Sequence, residues 1–242
     1  MIKYFDLQDV SILYNVYTKM SERSLKNTLI SNIGGTFINK KKLNYVNALK
    51  NITMSISEGD RIGLSGPNGS GKSTFLKLLS GCLEPTTGKI IRQGSINSIL
   101  NLTMGLDGEL TGIENIKLHS AIKNFDYKKS KVFLKEVINF SELGDFINMT
   151  VETYSEGMKL RLAFAMATSE IPDVLLLDEI VNVGDASFSL KASERIKNLI
   201  DKSKVMILAT HNKETLKKYC NKIILFQSGN LILKRIEELE NL

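Results

Sequence analysis

Cysteine and histidine are scarce in this sequence, which has two of each in 242 residues. Cys82 and Cys220 lie far apart and lack the close spacing that metal ligands need. We expect two buried free thiols in a reducing compartment. Long hydrophobic runs are also missing, because no apolar stretch approaches the roughly 18 residues that cross a membrane. The N-terminal stretch MIKYFDLQDV contains acids and no long apolar run, so it does not resemble a secretory signal.

An excess of acidic residues is absent as well. The chain has 32 Lys and Arg against 26 Asp and Glu, giving a formal net charge of +6. This balance is compatible with an anionic substrate, nucleic acid or anionic lipid, and it selects none of them. The hydrophobic content of 43% is ordinary for a globular protein. A real core is therefore expected, and the length leaves room for one large domain or two small lobes.

Apolar periodicity predicts an α/β chain with a helical middle. Strict alternation in residues 51–57, NITMSIS, predicts a half-buried strand. The apolar runs in VLLLDE, residues 174–179, and KVMILATH, residues 204–211, are typical of buried parallel strands with a crossover helix between them. Thr111 and Glu114 have the spacing of a capping box, so a helix is predicted to begin there.

A phosphate loop is predicted in the stretch GPNGSGKST, which meets every fixed position of G-x-x-x-x-G-K-[ST]. It follows a predicted strand and opens a predicted helix. Glycines let backbone N–H groups converge on phosphates, and the helix N-terminus adds partial positive charge. We therefore expect ATP here, with Lys72 reaching the β- and γ-phosphates and Ser73 holding Mg²⁺. The predicted nucleotide-binding residues of the loop are Gly66, Pro67, Asn68, Gly69, Ser70, Gly71, Lys72, Ser73 and Thr74.

Two carboxylates, Asp178 and Glu179, end the predicted strand VLLLDE. In an open α/β sheet, ligands bind at the carboxyl ends of the strands. This position predicts that Asp178 holds the Mg²⁺ shell through water and that Glu179 polarises the attacking water. His211 ends KVMILATH and is expected to contact the γ-phosphate. His119 has no such setting and is interpreted as an ordinary helical residue.

A second stretch, YSEGM, precedes a buried apolar helix, and with it the chain resembles the ATP-binding subunits of ABC transporters over nearly its whole length. YSEGM stands where the family signature, typically L-S-G-G-Q, is found. Ser155 and Gly157 match it, and the other three positions depart from it. The resemblance implies that these two residues contact the γ-phosphate held by a second copy of the chain. Two ATP molecules would then lie between the subunits of a head-to-tail dimer.

The resemblance also implies the fold, which is the α/β P-loop NTPase fold of the ABC type. It has a RecA-like core, an N-terminal antiparallel β-subdomain and a helical subdomain over roughly residues 98–170. We expect a single ABC ATPase domain over residues 1–242, with no C-terminal carbohydrate-binding domain.

Two further features of the family's nucleotide site map less directly. The glutamine loop corresponds to SILNLTMGLDGELTG, which offers Asn101 in place of glutamine, with a shorter reach toward water or metal. The aromatic residue that stacks on adenine should lie shortly before ALKNI. Tyr45 is the first candidate and Tyr14 the second.

The stretches YSEGMKLRLAFAMAT, LLLDEIVNVGDASF and ELTGIENI are similar to the polysaccharide-export branch of the family. That branch includes teichoic acid, O-antigen and capsule exporters. The resemblance implies an ATPase that drives export of a lipid-linked glycan through a separate polytopic permease. The chain would then sit at the cytoplasmic face of the cell membrane.

The competing interpretation is a soluble ABC ATPase that acts on nucleic acid or ribosomes. DNA-repair relatives need a long coiled-coil insertion between Lys72 and Ser155, and no sustained heptads occur there. Translation factors of the class carry two cassettes in one chain, and this sequence has one. A phosphoryl-transfer kinase would leave the YSEGM stretch without a role. No nucleic-acid partner is therefore expected.

Overall fold

The computed structural model of the chain describes residues 2–16, 36–40, 43–99, 105–178, 186–227 and 229–241. The chain divides into two compact units. The first unit comprises Met1–Asn97, Asp173–Ile180 and Lys204–Leu242, and the second comprises Ser98–Pro172 and Val181–Ser203. The segment predicted as a helical subdomain falls within the second unit.

An antiparallel sheet forms one part of the first unit. Its strands, in spatial order, are β2 (Thr36–Lys40), β3 (Leu43–Ser57), β1 (Lys3–Val16) and β5 (Thr87–Arg92). The predicted alternating strand lies in β3, where Ile52 and Ile56 are buried. Several register shifts interrupt the pairing of β1 with β3, so alternation along β1 is not regular.

A second, mostly parallel sheet carries the site. Its strands, in spatial order, are β10 (Asn230–Arg235), β9 (Lys222–Gln227), β4 (Arg61–Ser65), β8 (Val205–Ala209), β7 (Val174–Asp178) and β6 (Ile96–Ile99). As predicted, β7 and β8 pair in parallel and are almost entirely buried. Because β4, β8 and β7 are parallel neighbours, their carboxyl ends meet at one edge of the sheet.

The first helix, α1 (Lys72–Ser80), follows β4 through the glycine-rich loop. It ends at Gly81, whose φ of 81° is the left-handed conformation of a C-cap. Cys82 comes directly after this cap in an exposed turn, so the expectation of a buried thiol is wrong for Cys82. Cys220 is buried as expected, and its burial raises the pKa of the thiol to about 12.

The second unit is helical in its described part. It contains α2 (Gly112–Ile122), α3 (Tyr127–Ser141), α4 (Glu156–Thr168) and α5 (Ala186–Lys202), with 3₁₀ turns at Gly144–Asn148 and Val151–Thr153. The capping box is confirmed, because the Thr111 hydroxyl accepts from the Glu114 N–H and the Glu114 carboxylate accepts from the Thr111 N–H. Three aromatic rings, with centroids 5.5 to 6.1 Å apart, join α3, α4 and α5 into one core: Phe140, Phe164 and Phe188.

One more helix, α6 (Lys213–Tyr219), belongs to the first unit and begins at an Asn212 cap. β9 and β10 pair as an antiparallel hairpin. A 3₁₀ turn, Ile236–Asn241, follows them. Within the described parts of the chain, no helix is both long and apolar enough to cross a bilayer.

Candidate functional site

The loop between β4 and α1 has a backbone shape that depends on glycine. Gly66 and Gly71 have φ values of 152° and 110°, which side-chain-bearing residues rarely adopt. A Cβ on Gly71 would lie 2.6 Å from the carbonyl oxygen of Ala48, and one on Gly66 would lie 2.8 Å from that of Phe226. The loop therefore packs backbone to backbone against β3 and β9, and this packing fixes its shape.

The N-terminus of α1 is open to an anion. Gly71 is the N-cap, and within the described residues no side chain accepts a hydrogen bond there. The first N–H groups of a helix carry partial positive charge and need acceptors. The Lys72 ammonium adds a full positive charge. It donates to the carbonyl oxygens of Gly66 and Pro67 at 2.7 and 3.0 Å, so this charge lies across the loop. This arrangement suits a polyphosphate.

The two oxygens predicted to hold a metal ion lie together. Ser73 Oγ is 3.4 Å from Oδ2 of Asp178, at the carboxyl end of β7. A hydroxyl and a carboxylate fit Mg²⁺, which keeps several waters and takes few protein ligands beside phosphate oxygens. In the part of the chain that the structure describes, no group of three or more His, Cys, Asp or Glu forms a metal cage. The donor set therefore fits Mg²⁺ bound mainly by water and phosphate.

These groups open into one cleft of about 360 Å³. The predicted site residues that line it are Asn68, Gly69, Gly71, Lys72, Ser73, Thr74, Asp178 and His211. The cleft thus joins the phosphate loop to the ends of β7 and β8, as the strand order requires. Glu179 and Asn101, also predicted for this site, lie outside the described residues.

Ser70 marks the inner side of the loop. The residue is 2% exposed, and its hydroxyl has no hydrogen-bond partner within the described chain. A buried hydroxyl without a partner costs free energy, so such a group in a native site points to an unseen ligand or water. The loop therefore contains a buried hydroxyl that has no partner among the described residues.

The two tyrosine candidates lie on different faces of the antiparallel sheet. Tyr14 pairs with Val46, and Tyr45 pairs with Asn15. Directly opposed residues share a face and successive residues alternate, so Tyr14 and Tyr45 point to opposite faces. Tyr14 lines the cleft and is 41% exposed, whereas Tyr45 is not among the described lining residues. Tyr14 is therefore the candidate at the cleft, and the stacking of either tyrosine on adenine stays a prediction.

The YSEGM stretch forms the N-terminus of α4 in the second unit. Ser155 is the N-cap, and its hydroxyl accepts from the N–H of Met158 at 3.3 Å. Gly157 has ordinary helical geometry, and the nearest described heavy atom to a Cβ built on it is Ser155 Oγ at 3.9 Å. Both residues line a groove of about 780 Å³. Neither backbone shape nor internal packing explains the glycine.

Tyr154 has a role that sequence reasoning missed. It is 4% exposed and donates its hydroxyl to the carbonyl oxygen of Phe146 at 2.7 Å. Burial raises the pKa of the phenol, so it stays protonated and can donate. The bond anchors the start of α4 to the 3₁₀ turn Gly144–Asn148. In the sequence, a tyrosine directly before a helix cap could have indicated this role, since the hydroxyl of a buried tyrosine needs a hydrogen-bond partner.

Replacing Gly157 with alanine should make the isolated chain more stable. Alanine is favoured over glycine within a helix by about 0.5 to 1 kcal/mol, and the site has room for the methyl group. For a chain of this length the midpoint of thermal unfolding should rise by about 2 °C, as measured by circular dichroism. A lower midpoint would show that the glycine serves the fold of its own chain.

The comparison with protein families agrees with the motifs. The sequence profile described as "ABC transporter" matches residues 49–182, which is more than half of the chain. The chain belongs to the ABC transporter family. It is therefore an ATP-binding, ATP-hydrolysing cassette, and the predicted fold class is confirmed.

Relatives of this cassette cover most of its length. The O-antigen export system ATP-binding protein RfbE of Yersinia enterocolitica is 38% identical over 92% of this chain and 93% of its own. The teichoic acids export ATP-binding protein TagH of Staphylococcus haemolyticus is 36% identical over 93% of this chain and 82% of its own. The TagH protein of Staphylococcus epidermidis is 36% identical over 97% and 84%.

Solved structures share the fold at lower sequence identity. The dimeric ATP-binding cassette MJ0796, in a post-hydrolysis state with ADP and Pi, has a TM-score of 0.66 and 22% identity over 96% of this chain and 98% of its own. An ATP-binding subunit of an ABC transporter has a TM-score of 0.70 and 21% identity over 98% and 92%.

Proposed function

We propose that this ABC cassette drives export of a lipid-linked cell-surface polysaccharide across the cytoplasmic membrane. The supporting observation is that relatives at 36 to 38% identity, aligned over most of both chains, are export ATP-binding proteins for O-antigen or teichoic acids. The competing role on nucleic acid or ribosomes has no comparable support.

The partner is a polytopic membrane permease, through which the lipid-linked glycan passes. Export needs a membrane-spanning path, and the described helices of this chain do not provide one. The cassette is therefore peripheral, held at the cytoplasmic face of the membrane by the permease. A second copy of the cassette completes the transporter.

ATP is held by the loop between β4 and α1. The Lys72 ammonium moves from its carbonyl contacts to the β- and γ-phosphates, where it makes charge-assisted hydrogen bonds. The open N–H groups of α1 and the spare hydroxyl of Ser70 donate hydrogen bonds to the remaining phosphate oxygens. Tyr14, on the cleft wall, stacks on the adenine ring.

Hydrolysis needs a base, an anchor for the γ-phosphate and charge neutralisation. Glu179, directly after Asp178, is the base that orients and deprotonates the attacking water. His211 is placed at the cleft to hold the γ-phosphate. Ser73 and Asp178 hold Mg²⁺, which when bound neutralises charge on the phosphate oxygens. Asn101 would contact the bound ion through water.

The signature stretch acts on the other subunit's nucleotide. Gly157 lowers the stability of its own helix, and the described structure gives no internal reason for it. Close approach of a phosphate to the N-terminus of α4 would explain the glycine, since a side chain there would keep the phosphate away from the backbone N–H groups. Ser155 adds its hydroxyl to the same phosphate. Each of the two ATP sites is therefore completed by Ser155 and Gly157 in trans.

Depletion of the cassette tests the export function. Cells depleted of it should accumulate a lipid-linked glycan inside the membrane, detected by mass spectrometry of lipid extracts, and lose the surface polymer. The wild-type chain should restore export and Lys72→Ala should not. A tagged wild-type chain should co-purify with a polytopic membrane protein. Co-purification with ribosomes or nucleic acid instead, and unchanged surface polymer, would contradict the proposal.

A further inference from the structure

We propose that one face of the second unit binds an anionic lipid bilayer directly. The face consists of the exposed side chains of residues 117–135, on α2, α3 and their connection, and is called the basic face below. The proposal goes beyond export, because it does not depend on which cargo the transporter moves. It gives the cassette its own contact with the membrane beside the permease.

Charge is the first observation that carries the proposal. Residues 117–135 contain six lysines and a single acid, Asp126. The Asp126 carboxylate caps α3 by accepting from the N–H of Lys129 at 2.8 Å, and the Lys129 ammonium pairs with Glu170 at 2.5 Å. The other five lysines form no ion pair within 4.0 Å with a described residue. The basic face therefore carries a concentrated positive charge.

Apolar exposure is the second observation. On α3 the exposed side is a stripe of three lysines and Val132 at helical spacing: Lys128, Lys131, Val132 and Lys135. Val132 is 69% exposed, and Ile122 and Tyr127 beside the connection are 70% and 81% exposed. Exposed apolar side chains among lysines in the same segment are typical of a surface that enters the headgroup region of a bilayer.

The two helices are fixed against each other, so the face is a defined surface. The His119 ring stacks on Phe133 with centroids 5.5 Å apart, and Phe125 packs edge-on against Phe133 at 5.4 Å. Burial lowers the pKa of His119, so the ring stays neutral near pH 7 and remains in this apolar packing. The aromatic rings therefore fill the interface between the two helices, and the lysines and aliphatic side chains remain exposed to solvent.

The chemistry favours lipid over nucleic acid. Residues 117–135 contain no arginine, the residue that binds phosphate and base edges with a planar fork. Lysine ammonium groups attract anionic headgroups as point charges, and tyrosine and branched aliphatic side chains partition into the membrane interface. Exposed isoleucine and valine side chains can form neither the hydrogen bonds to phosphates nor the stacking on bases through which proteins bind nucleic acid.

Vesicle binding by the full chain tests the proposal. The wild-type chain should co-sediment with phosphatidylcholine vesicles that contain phosphatidylglycerol, and not with phosphatidylcholine alone. Lys128→Glu with Lys131→Glu should weaken the binding by about 25-fold or more, because each lysine near an anionic surface contributes about fivefold. Ile122→Ser with Val132→Ser should weaken it by about tenfold and abolish the binding that remains at high salt.

Matched variants separate the face from the overall charge. Lys89→Glu with Lys197→Glu makes the same change at exposed positions elsewhere and should leave vesicle binding nearly unchanged. Basal ATP hydrolysis should be the same in all these variants. Equal losses in the control pair, or no binding to phosphatidylglycerol, would overturn the proposal. So would tighter binding to a DNA duplex or tRNA than to the vesicles, since the face would then be a nucleic-acid surface.

Discussion

Lys72→Ala should reduce ATP affinity by about 100-fold and hydrolysis by about 1,000-fold. The ammonium is the cation that lies across the phosphate loop, within hydrogen-bond distance of the Gly66 and Pro67 carbonyl oxygens. Alanine removes both the charge and the donor that would meet the β- and γ-phosphates. Fluorescent-nucleotide titration and phosphate release measure the two losses separately.

Lys77→Ala is the matched control for this prediction. Lys77 lies on the same helix with an exposed side chain, so its substitution changes net charge and helix propensity equally. It should leave both affinity and turnover within about twofold of the wild type, as surface substitutions generally do. Unchanged ATP binding by Lys72→Ala would remove the loop from the nucleotide site.

Gly157→Asp should abolish ATP hydrolysis and leave the fold intact. The site has room for a side chain, and an acid in the first turn of α4 interacts favourably with the helix dipole. The isolated chain should therefore unfold at or above the wild-type temperature and bind ATP with wild-type affinity. Its carboxylate would face the γ-phosphate held by the other subunit, where like charges repel at short distance. ATP-dependent dimerisation on a sizing column should be lost.

Gly157→Asn separates charge from bulk in this prediction. The amide has nearly the same size without the negative charge, so it should retain more ATP-dependent dimer than Gly157→Asp does. If Gly157→Asp weakens ATP binding by the monomer as much as Lys72→Ala, the signature stretch belongs to its own chain's site. The head-to-tail arrangement would then be wrong.

Local patterns in the sequence predict the parts of the site that depend on few residues. The phosphate loop, the cap at Ser155 and the strand ending in Asp178 each follow from adjacent residues, and the structure has all three. The meeting of Ser73 with Asp178 depends in addition on the spatial order of β4, β8 and β7, whereas the apolar runs predict only buried parallel strands. The first three features depend on chain chemistry that acts over a single turn or strand.

Long-range register is what the sequence could not provide. Tyr45 lies shortly before ALKNI, where the adenine-stacking aromatic residue is expected. The face of the sheet to which each tyrosine points, however, depends on how β1 pairs with β3. Register shifts in β1 break the alternation that a sequence shows, so only the structure assigns Tyr14 to the cleft. In the sequence, Tyr154 likewise shows only a departure from the family signature. Its hydrogen bond to Phe146 depends on tertiary packing, which the sequence does not show.

The most direct test of the head-to-tail arrangement is to mix two inactive variants, Lys72→Ala and Gly157→Asp. A mixed dimer has one site with both defects and one site with an intact phosphate loop facing an intact signature stretch. Phosphate release should therefore return on mixing, in proportion to the mixed dimer, while each variant alone remains inactive. A titration that stays at the sum of the two inactive rates at every ratio, although native mass spectrometry shows mixed dimers, would contradict the account.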